Sequence, residues 1–285
     1  MTVPRRLQTS LVAALRRLAS ASRGAIVATC VVLAAVPAAR ARNLGRTDDG
    51  QGGTARSVPS LCLAENGRAL PGGPIVLWEP CAREQAERWA ADAERDGAAA
   101  LRAASCYATI VASGREKSTG LEDARRGRAA ADAAVRKLPG SGLAHYLAAY
   151  TAGLVAERAP LRGLALVPVI EREALRAAEL DPGVDRGGPD RMLGELYLRA
   201  PGSPFSVGNP EKAVRHYRRA VAVEPAAPEN RLGLAEALLA RDKIDEACRE
   251  LRGIEAGPAA AAGETPARKK ALDLLERRCS RRGDK

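Results

Sequence analysis

Aromatic residues are scarce in this sequence, which has one Phe, five Tyr and two Trp among its 285 residues. β-Branched residues are also few, whereas the good helix formers Ala, Leu, Arg and Glu are abundant. Because strands favour aromatic and β-branched residues, this balance argues against a sandwich or barrel. No sustained heptad is present, which argues against a coiled coil. We therefore expect an all-α protein whose helices pack closely through small side chains.

Motifs that carry catalysis are missing as well. The chain has two histidines, His145 and His216, and it contains no H-E-x-x-H, G-x-S-x-G or phosphate-binding loop. No cysteine pair has the C-x-x-C spacing of a zinc site or a redox dithiol. We therefore predict no enzymatic activity, no metal and no cofactor. An enzyme that pairs a cysteine thiol with a histidine is the alternative.

Acidic residues are absent from the first 41 residues, which contain six arginines. The remainder has 39 basic and 34 acidic residues, so its net charge is +5 rather than the +11 of the whole chain. These charges are interleaved and lack the aromatic neighbours that would stack on bases, so we predict no binding of nucleic acid. One basic cluster remains, in a predicted capping helix at the C-terminus: Arg268, Lys269, Lys270, Arg277, Arg278, Arg281 and Arg282.

Residues 1–41 have the features of an export signal peptide. An arginine-rich start is followed by an apolar stretch, residues 25–36, which is too short to span a bilayer because a spanning helix needs about 20 residues. Ala39-Arg40-Ala41 matches a small-x-small cleavage site, and we place cleavage after its last alanine. We therefore predict an exported protein of the periplasm or cell envelope. Val27-Ala28-Thr29-Cys30 supports the alternative of a lipid-anchored protein.

Residues 42–80 are polar and rich in Gly and Pro, which predicts a flexible, irregular leader. Five cysteines follow the predicted signal peptide, so an exported chain can form disulfides and leaves one cysteine over. Cys62 and Cys81 flank a Gly/Pro-rich loop and are the favoured first bridge. Cys248 and Cys279 can meet if two C-terminal helices run antiparallel. Cys106 lies in a helical run, where a buried thiol is nearly as good an interpretation.

Three predicted helices end in related strings that share a proline and, five positions before it, an alanine. The pairs are Ala134 with Pro139, Ala177 with Pro182, and Ala220 with Pro225. A tetratricopeptide unit has 34 residues and needs a small side chain at that position, because adjacent helices approach closely there. We therefore predict an α-solenoid of tetratricopeptide-like antiparallel hairpins over residues 81–285, clearest from Pro182 to Pro258.

Two of the predicted units are longer than the standard unit. Their extra residues fall between the two helices of each hairpin, around residues 159–168 and 201–210. Because the insertions occupy the same place in successive hairpins, we expect them to emerge on the same side of the stack. A solenoid can build a binding surface on that side.

The two segments 187–202 and 206–213 resemble the T-component (TatT-type) of tetratricopeptide-associated TRAP transporters. They read GGPDRMLGELYLRAPG and SVGNPEKA, and the resemblance extends over residues 120–255. It implies a periplasmic helical protein that pairs with a substrate-binding protein and can pass an apolar small molecule. The alternative is a general scaffold of the cell envelope that binds proteins and has no small-molecule ligand.

Four aromatic residues are the candidates for binding a partner or ligand: Tyr146, Tyr150, Tyr197 and Phe205. Each combines apolar area with rigidity, which suits an interface, although each tyrosine can equally fill the core. Phe205, the single Phe, lies in the second insertion, where it either folds back onto its own hairpin or meets a partner. His145 occupies a large aromatic position of its repeat, which predicts packing, and His216 is expected on an exposed face.

The signal-peptide prediction can be checked on the native protein. N-terminal sequencing of the mature chain purified from its own cell envelope should begin at Arg42, because the cleavage enzyme follows small residues at Ala39 and Ala41. A chain that begins at Cys30 and carries an acyl group would support the lipid-anchored alternative instead.

Overall fold

The computed structural model describes Leu77 and residues 80–114, 120–159, 163–256 and 265–279. These residues form ten α-helices and no β-strand, so the prediction of an all-α solenoid is confirmed. The helices are α1 Arg83–Asp92, α2 Gly97–Ser113, α3 Gly120–Lys137, α4 Gly142–Arg158, α5 Val167–Leu180, α6 Gly188–Arg199, α7 Pro210–Val223, α8 Pro228–Leu239, α9 Ile244–Glu255 and α10 Pro266–Arg278. The predicted signal peptide, Cys30, Cys62, Arg281 and Arg282 lie outside the described residues.

Each helix packs against the next one along the chain, which gives the stacked hairpins α2–α3, α4–α5, α6–α7 and α8–α9. Helices α2, α4, α6, α8 and α10 also pack against one another in that order, and we call them the inner row. The other members of the hairpins, α3, α5, α7 and α9, form the outer row. None of the described helices is long and apolar enough to cross a membrane.

Burial differs sharply between the two rows. Helix α4 of the inner row buries twelve of its seventeen residues, and these lie on all sides of the helix. Helix α9 of the outer row buries four of its twelve, spaced along one face. A helix with buried residues all round needs neighbouring helices on all sides. An amphipathic helix can pack its apolar face on those neighbours and expose its polar face to water. The sequence therefore places the inner row between neighbours and the outer row at the surface.

Helix starts follow from local capping chemistry. The side chains of Asp96, Ser141, Asn209 and Thr265 accept hydrogen bonds from the first backbone N–H groups of α2, α4, α7 and α10. Proline stands at the first position of α7, α8 and α10, where its missing N–H costs nothing. The predicted repeat prolines each lie two residues after the ends of α3, α5 and α7.

The ring of Tyr217, in α7, lies between two inner helices, and both approach it at a glycine. A methyl group at Gly194 of α6 would lie 2.6 Å from Tyr217 Cδ2, and one at Gly233 of α8 would overlap the ring outright. Ala134, Ala177 and Ala220, the small residues of the repeat, have no exposed surface. Helices at this spacing leave no room for a larger side chain at these positions.

Two disulfides join helices near the ends of the described part. Cys248 of α9 pairs with Cys279, just after α10, which is the pairing considered for two antiparallel C-terminal helices, and the Cα atoms are 5.9 Å apart. Cys81 pairs with Cys106 of α2, with a Cα separation of 5.6 Å. The predicted bridge from Cys62 to Cys81 is therefore wrong. Packing of α1 on α2 brings Cys81 to Cys106 across 25 residues, and no pattern in the sequence signals this approach.

Replacing Gly233 by Ala should destabilise the fold, because the added methyl group overlaps the ring of Tyr217. We expect Gly233→Ala to lower the free energy of unfolding by about 2–3 kcal/mol, as overpacking of a dense core does. The measurement is chemical denaturation followed by circular dichroism.

Gly153→Ala is the matched control, since Gly153 is also helical and nothing lies within 4 Å of the added Cβ atom. It should leave the stability unchanged or raise it by up to about 1 kcal/mol. Equal loss in the two variants would contradict the packing described here.

Candidate partner-binding surface

A chain of hydrogen bonds links three helices of the inner row through the loop that precedes α6. The hydroxyl of Tyr146 in α4 donates to Asp185 Oδ2 at 2.6 Å, and Arg191 Nη2 of α6 donates to the same oxygen at 2.5 Å. Arg191 Nη1 also donates to Asn230 Oδ1 of α8 at 3.0 Å. We call Tyr146, Asp185, Arg191 and Asn230 the Asp185 network.

The loop that carries Asp185 has an unusual backbone. Asp185 and Arg186 have φ angles of 48° and 56°, in the left-handed region that non-glycine residues rarely adopt, and Gly187 follows with φ 85°. Their carbonyl oxygens accept from Arg191 and from Asn230 Nδ2, the latter at 2.9 Å to Arg186 O. The buried network therefore stabilises a strained turn. Burial, and then the charge of Asp185, raise the pKa of Tyr146 well above its ordinary value, so its hydroxyl keeps its proton.

A second polar cluster, the Glu195 network, consists of Glu195, Arg199, Tyr217, Glu236 and Lys270. Arg199 Nε lies 3.2 Å from Glu195 Oε1, and Arg199 Nη2 lies 2.5 Å from Glu236 Oε2. Lys270 of α10 pairs with the other oxygen of Glu236, and the hydroxyl of Tyr217 donates to Glu195 Oε2 at 2.7 Å. Burial raises the pKa of Glu195, and the charge of Arg199 and the hydrogen bond from Tyr217 act in the opposite direction.

These two networks limit which polar groups of the inner row a ligand could contact. The charged and hydroxyl groups named in them bind one another across α4, α6, α7, α8 and α10, and all of them except Lys270 are largely withdrawn from solvent. A partner that approached these groups would have to break buried, mutually paired contacts, which costs more than displacing water.

The structure places the three candidate tyrosines in or against the core. Tyr146 is buried, and Tyr150 packs beside it with ring centroids 6.1 Å apart. Tyr197 of α6 is also buried, and its hydroxyl donates to Glu171 Oε1 at 2.6 Å. The amine of Lys212 lies 5.0 Å from the centre of the Tyr197 ring. Tyr146 and Tyr197 therefore fill the core, which was one of the two roles considered for them.

Both histidines are engaged in hydrogen bonds. His145 is buried as expected, with Nδ1 2.6 Å from Glu173 Oε2 and Nε2 3.1 Å from Pro139 O. The prediction of an exposed His216 is wrong, since its side chain is 12 % exposed and Nδ1 lies 2.7 Å from Asp190 Oδ1. Asp190 is buried in the first turn of α6, and an imidazole from the adjacent α7 supplies its partner. Since all four described cysteines are bridged, neither histidine has a described thiol to activate.

Phe205 stands out from every other large apolar side chain of the described residues, because 78 % of its surface is exposed. It lies in the loop of residues 200–209 between α6 and α7, which is braced by its own backbone. Gly208 N donates to Pro201 O at 2.9 Å, Phe205 N donates to Gly202 O at 3.1 Å, and Asn209 N donates to Tyr197 O at 2.7 Å. A side chain at Gly208 would overlap Ala200 O, so the tight closure requires glycine. The loop thus holds Phe205 outward, and the alternative in which it folds back is wrong.

The insertion of the preceding hairpin lies beside this loop. It contains the 3₁₀ helix Leu164–Leu166 between α4 and α5. Leu166 from this insertion and Val207 from the Phe205 loop pack against one apolar cluster, which includes Ile170 and Leu196. Leu164 is itself 39 % exposed. We call residues 164–166 and 200–209 the loop edge, and their shared cluster agrees with the expectation that the two insertions emerge on one side.

Sequence reasoning missed the residues of the two networks. Asp185, Arg191, Asn230 and Glu195 look like ordinary polar residues of a charged helical chain, and each has at least one partner on another helix. Asn230 is fully buried, and a buried amide needs several partners, but its burial cannot be read from the sequence. The position of that helix between two others was not visible in the sequence.

Comparison with known families supports the repeat assignment for the C-terminal part. Residues 205–263 match the family model described as tetratricopeptide repeat, a segment that includes Phe205 and the helices α7, α8 and α9. No curated protein matches the chain. The match supports the tetratricopeptide superfamily, whose repeats generally serve protein–protein interaction rather than catalysis.

Removing the hydroxyl of Tyr146 should destabilise the fold more than removing that of Tyr197. Tyr146→Phe leaves buried Asp185 without one donor, and we expect a loss of about 1.5–3 kcal/mol, typical of a hydrogen bond to a charged group. Tyr197→Phe is the matched control, because Glu171 is half-exposed and water can replace the hydroxyl. Both are measured by thermal and chemical unfolding, and equal losses would contradict a stabilising role of the Asp185 network.

Proposed function

We propose that this protein is an exported helical-repeat adaptor that binds a protein partner at the loop edge, with Phe205 as its anchor. The observation that carries the proposal is the exposure of Phe205, 78 % of whose surface faces solvent on a braced loop. Large aromatic side chains dominate the energy of protein interfaces when they enter a pocket of the partner. Holding the side chain in place beforehand lowers the entropy lost on binding.

The composition of the loop edge fits an interface better than a solvated turn. Residues 200–209 carry no charge, although 28 % of the whole chain is charged. Residues 164–166, which include exposed Leu164, are uncharged as well. Uncharged, partly apolar segments on one edge of a charged protein have the composition of an interface core.

The inner row is the less suitable surface for such a partner. In the Asp185 and Glu195 networks its polar groups bind one another, and two of the three candidate tyrosines are buried there. A partner at the loop edge disturbs none of these contacts. The adaptor role therefore depends on the insertions that lengthen the two central hairpins.

We further propose export from the cytoplasm and a link to solute uptake. Two disulfides suit an oxidising compartment outside the cytoplasm, which supports the signal peptide inferred from residues 1–41. The resemblance to the T-component of TRAP transporters favours a periplasmic substrate-binding protein as the partner, with an apolar small molecule as a further ligand. The alternative is a general scaffold of the cell envelope without a small-molecule ligand.

A pair of variants tests the anchor. Phe205→Ser should weaken capture of the partner from native envelope extract by about 30-fold or more, because an aromatic hot spot contributes about 2 kcal/mol or more. Val223→Ser is the control, since Val223 is also apolar and exposed but lies at the other end of α7. It should capture the partner as the unmodified protein does. Equal capture by both variants would rule out the loop edge as the binding surface.

The identity of the captured protein separates the two forms of the proposal. Recovery of a periplasmic substrate-binding protein supports an accessory of a TRAP-type uptake system. Recovery of other envelope proteins, with no bound small molecule in native mass spectrometry, supports the general scaffold.

A further inference from the structure

We infer that the two disulfides are redox-sensitive links that hold the first and last described helices, α1 and α10, on the ends of the solenoid, and that reduction releases these helices. We call each such disulfide a latch. This inference is independent of the proposed function. Both helices bury few residues completely. Ala86 is the one buried residue among the ten of α1, and Ala267 and Ala271 are the two among the thirteen of α10. Four further apolar side chains of these helices are partly buried against the core: Trp89, Ala90, Leu274 and Leu275. Since apolar burial supplies most of the attraction between helices, packing holds both ends less strongly than it holds the central helices.

Charged contacts at these ends are mostly exposed, with one buried exception in α1. Helix α10 is tied to α8 by the pair of Lys270 with Glu236, in which the lysine side chain is 44 % exposed. Helix α1 has an exposed pair between Glu87 and Arg126 at 3.1 Å. Exposed ion pairs contribute weakly and are screened by salt. The stronger contact is the two-point pair of Arg83 with buried Asp123, which holds the first residue of α1.

Each disulfide joins a half-exposed cysteine beside an end helix to a buried cysteine of the neighbouring helix. Cys81 lies two residues before α1, and its partner Cys106 is 4 % exposed within α2. Cys279 directly follows α10, and its partner Cys248 is 5 % exposed within α9. The same arrangement therefore occurs at both ends, with the more exposed cysteine on the side of the end helix.

The difference in exposure between the two cysteines determines which sulfur a reductant attacks first. A thiolate of a dithiol reductant attacks the sulfur of the more exposed cysteine, Cys81 or Cys279, and breaks the S–S bond. The buried sulfur leaves with the electron pair and takes up a proton, while the attacking sulfur forms a mixed disulfide. The second thiolate of the reductant then attacks that bond and closes the reductant's own disulfide, and the released cysteine is protonated. Two electrons and two protons pass to each cysteine pair, and the dithiol is oxidised.

Reduction of a disulfide restores to the end helix the conformational freedom that the closed loop had removed. The two bridges span 25 and 31 residues, loop lengths at which a disulfide constrains the chain strongly. Without its bridge, α10 leaves an apolar surface that includes Leu238, Leu251 and Ile254. The helices between the two ends keep their dense packing. The redox state thus sets whether the ends of the solenoid are covered.

Hydrogen exchange with mass spectrometry on the full chain tests this inference. The oxidised protein is compared with protein reduced by dithiothreitol and then alkylated. Amide protection in residues 83–92 and 266–278 should fall by about 100-fold or more on reduction, as expected from the loop lengths. Protection in α4 and α6 should not change. Unchanged protection at both ends would overturn the inference, and so would an equal loss along the whole chain.

Two single variants give a second readout that does not require reduction. In Cys279→Ser, buried Cys248 should react with N-ethylmaleimide nearly as fast as Cys279 does in Cys248→Ser, because α10 leaves its place. Cys279 in that second variant is half-exposed in any case and supplies the reference rate. Slow labelling of Cys248, at the rate of a buried thiol, would show that α10 stays docked without its bridge and would overturn the latch.

Discussion

The close approach of the inner helices is the constraint on which the rest of this structure depends. The Tyr217 ring fits between α6 and α8 because Gly194 and Gly233 present no side chain to it. The alanines of the repeat are fully buried for the same reason. A chain built on such contacts needs small side chains in large numbers and few aromatic ones, which is the composition observed. The scarcity of aromatic residues is thus a requirement of the packing.

The same dense packing leaves polar groups buried between the helices. Asp185, Arg191 and Glu195 lie in or next to inner helices, and each reaches partners on other helices of the stack. Buried charges must be paired, so the groups that could have lined a binding surface are used to hold the helices together. The loop edge lies outside the inner row, so the requirement to pair buried charges does not apply to it. An apolar side chain such as Phe205 can be exposed there.

The ends of the stack pose the opposite problem. The central inner helix α4 buries residues on all its sides, whereas in the described part of the chain α1 buries one residue and α10 buries two. Solenoids require terminal units that cover the last apolar face and still dissolve in water. This chain meets the requirement with polar end helices, and it compensates for their small apolar burial with a disulfide at each end.

Local chemistry in the sequence was enough to predict the helical repeats, the prolines that follow them and the buried alanines, and it offered the pairing of Cys248 with Cys279 as a possibility. These features depend on residues close in sequence or on neighbouring hairpins. Tertiary structure alone decided the rest. Cys81 meets Cys106 instead of Cys62, His216 packs mostly buried against Asp190, and Phe205 points outward. Each of these outcomes depends on which faces of separate helices and loops come together, and composition and spacing along the chain do not encode those distances.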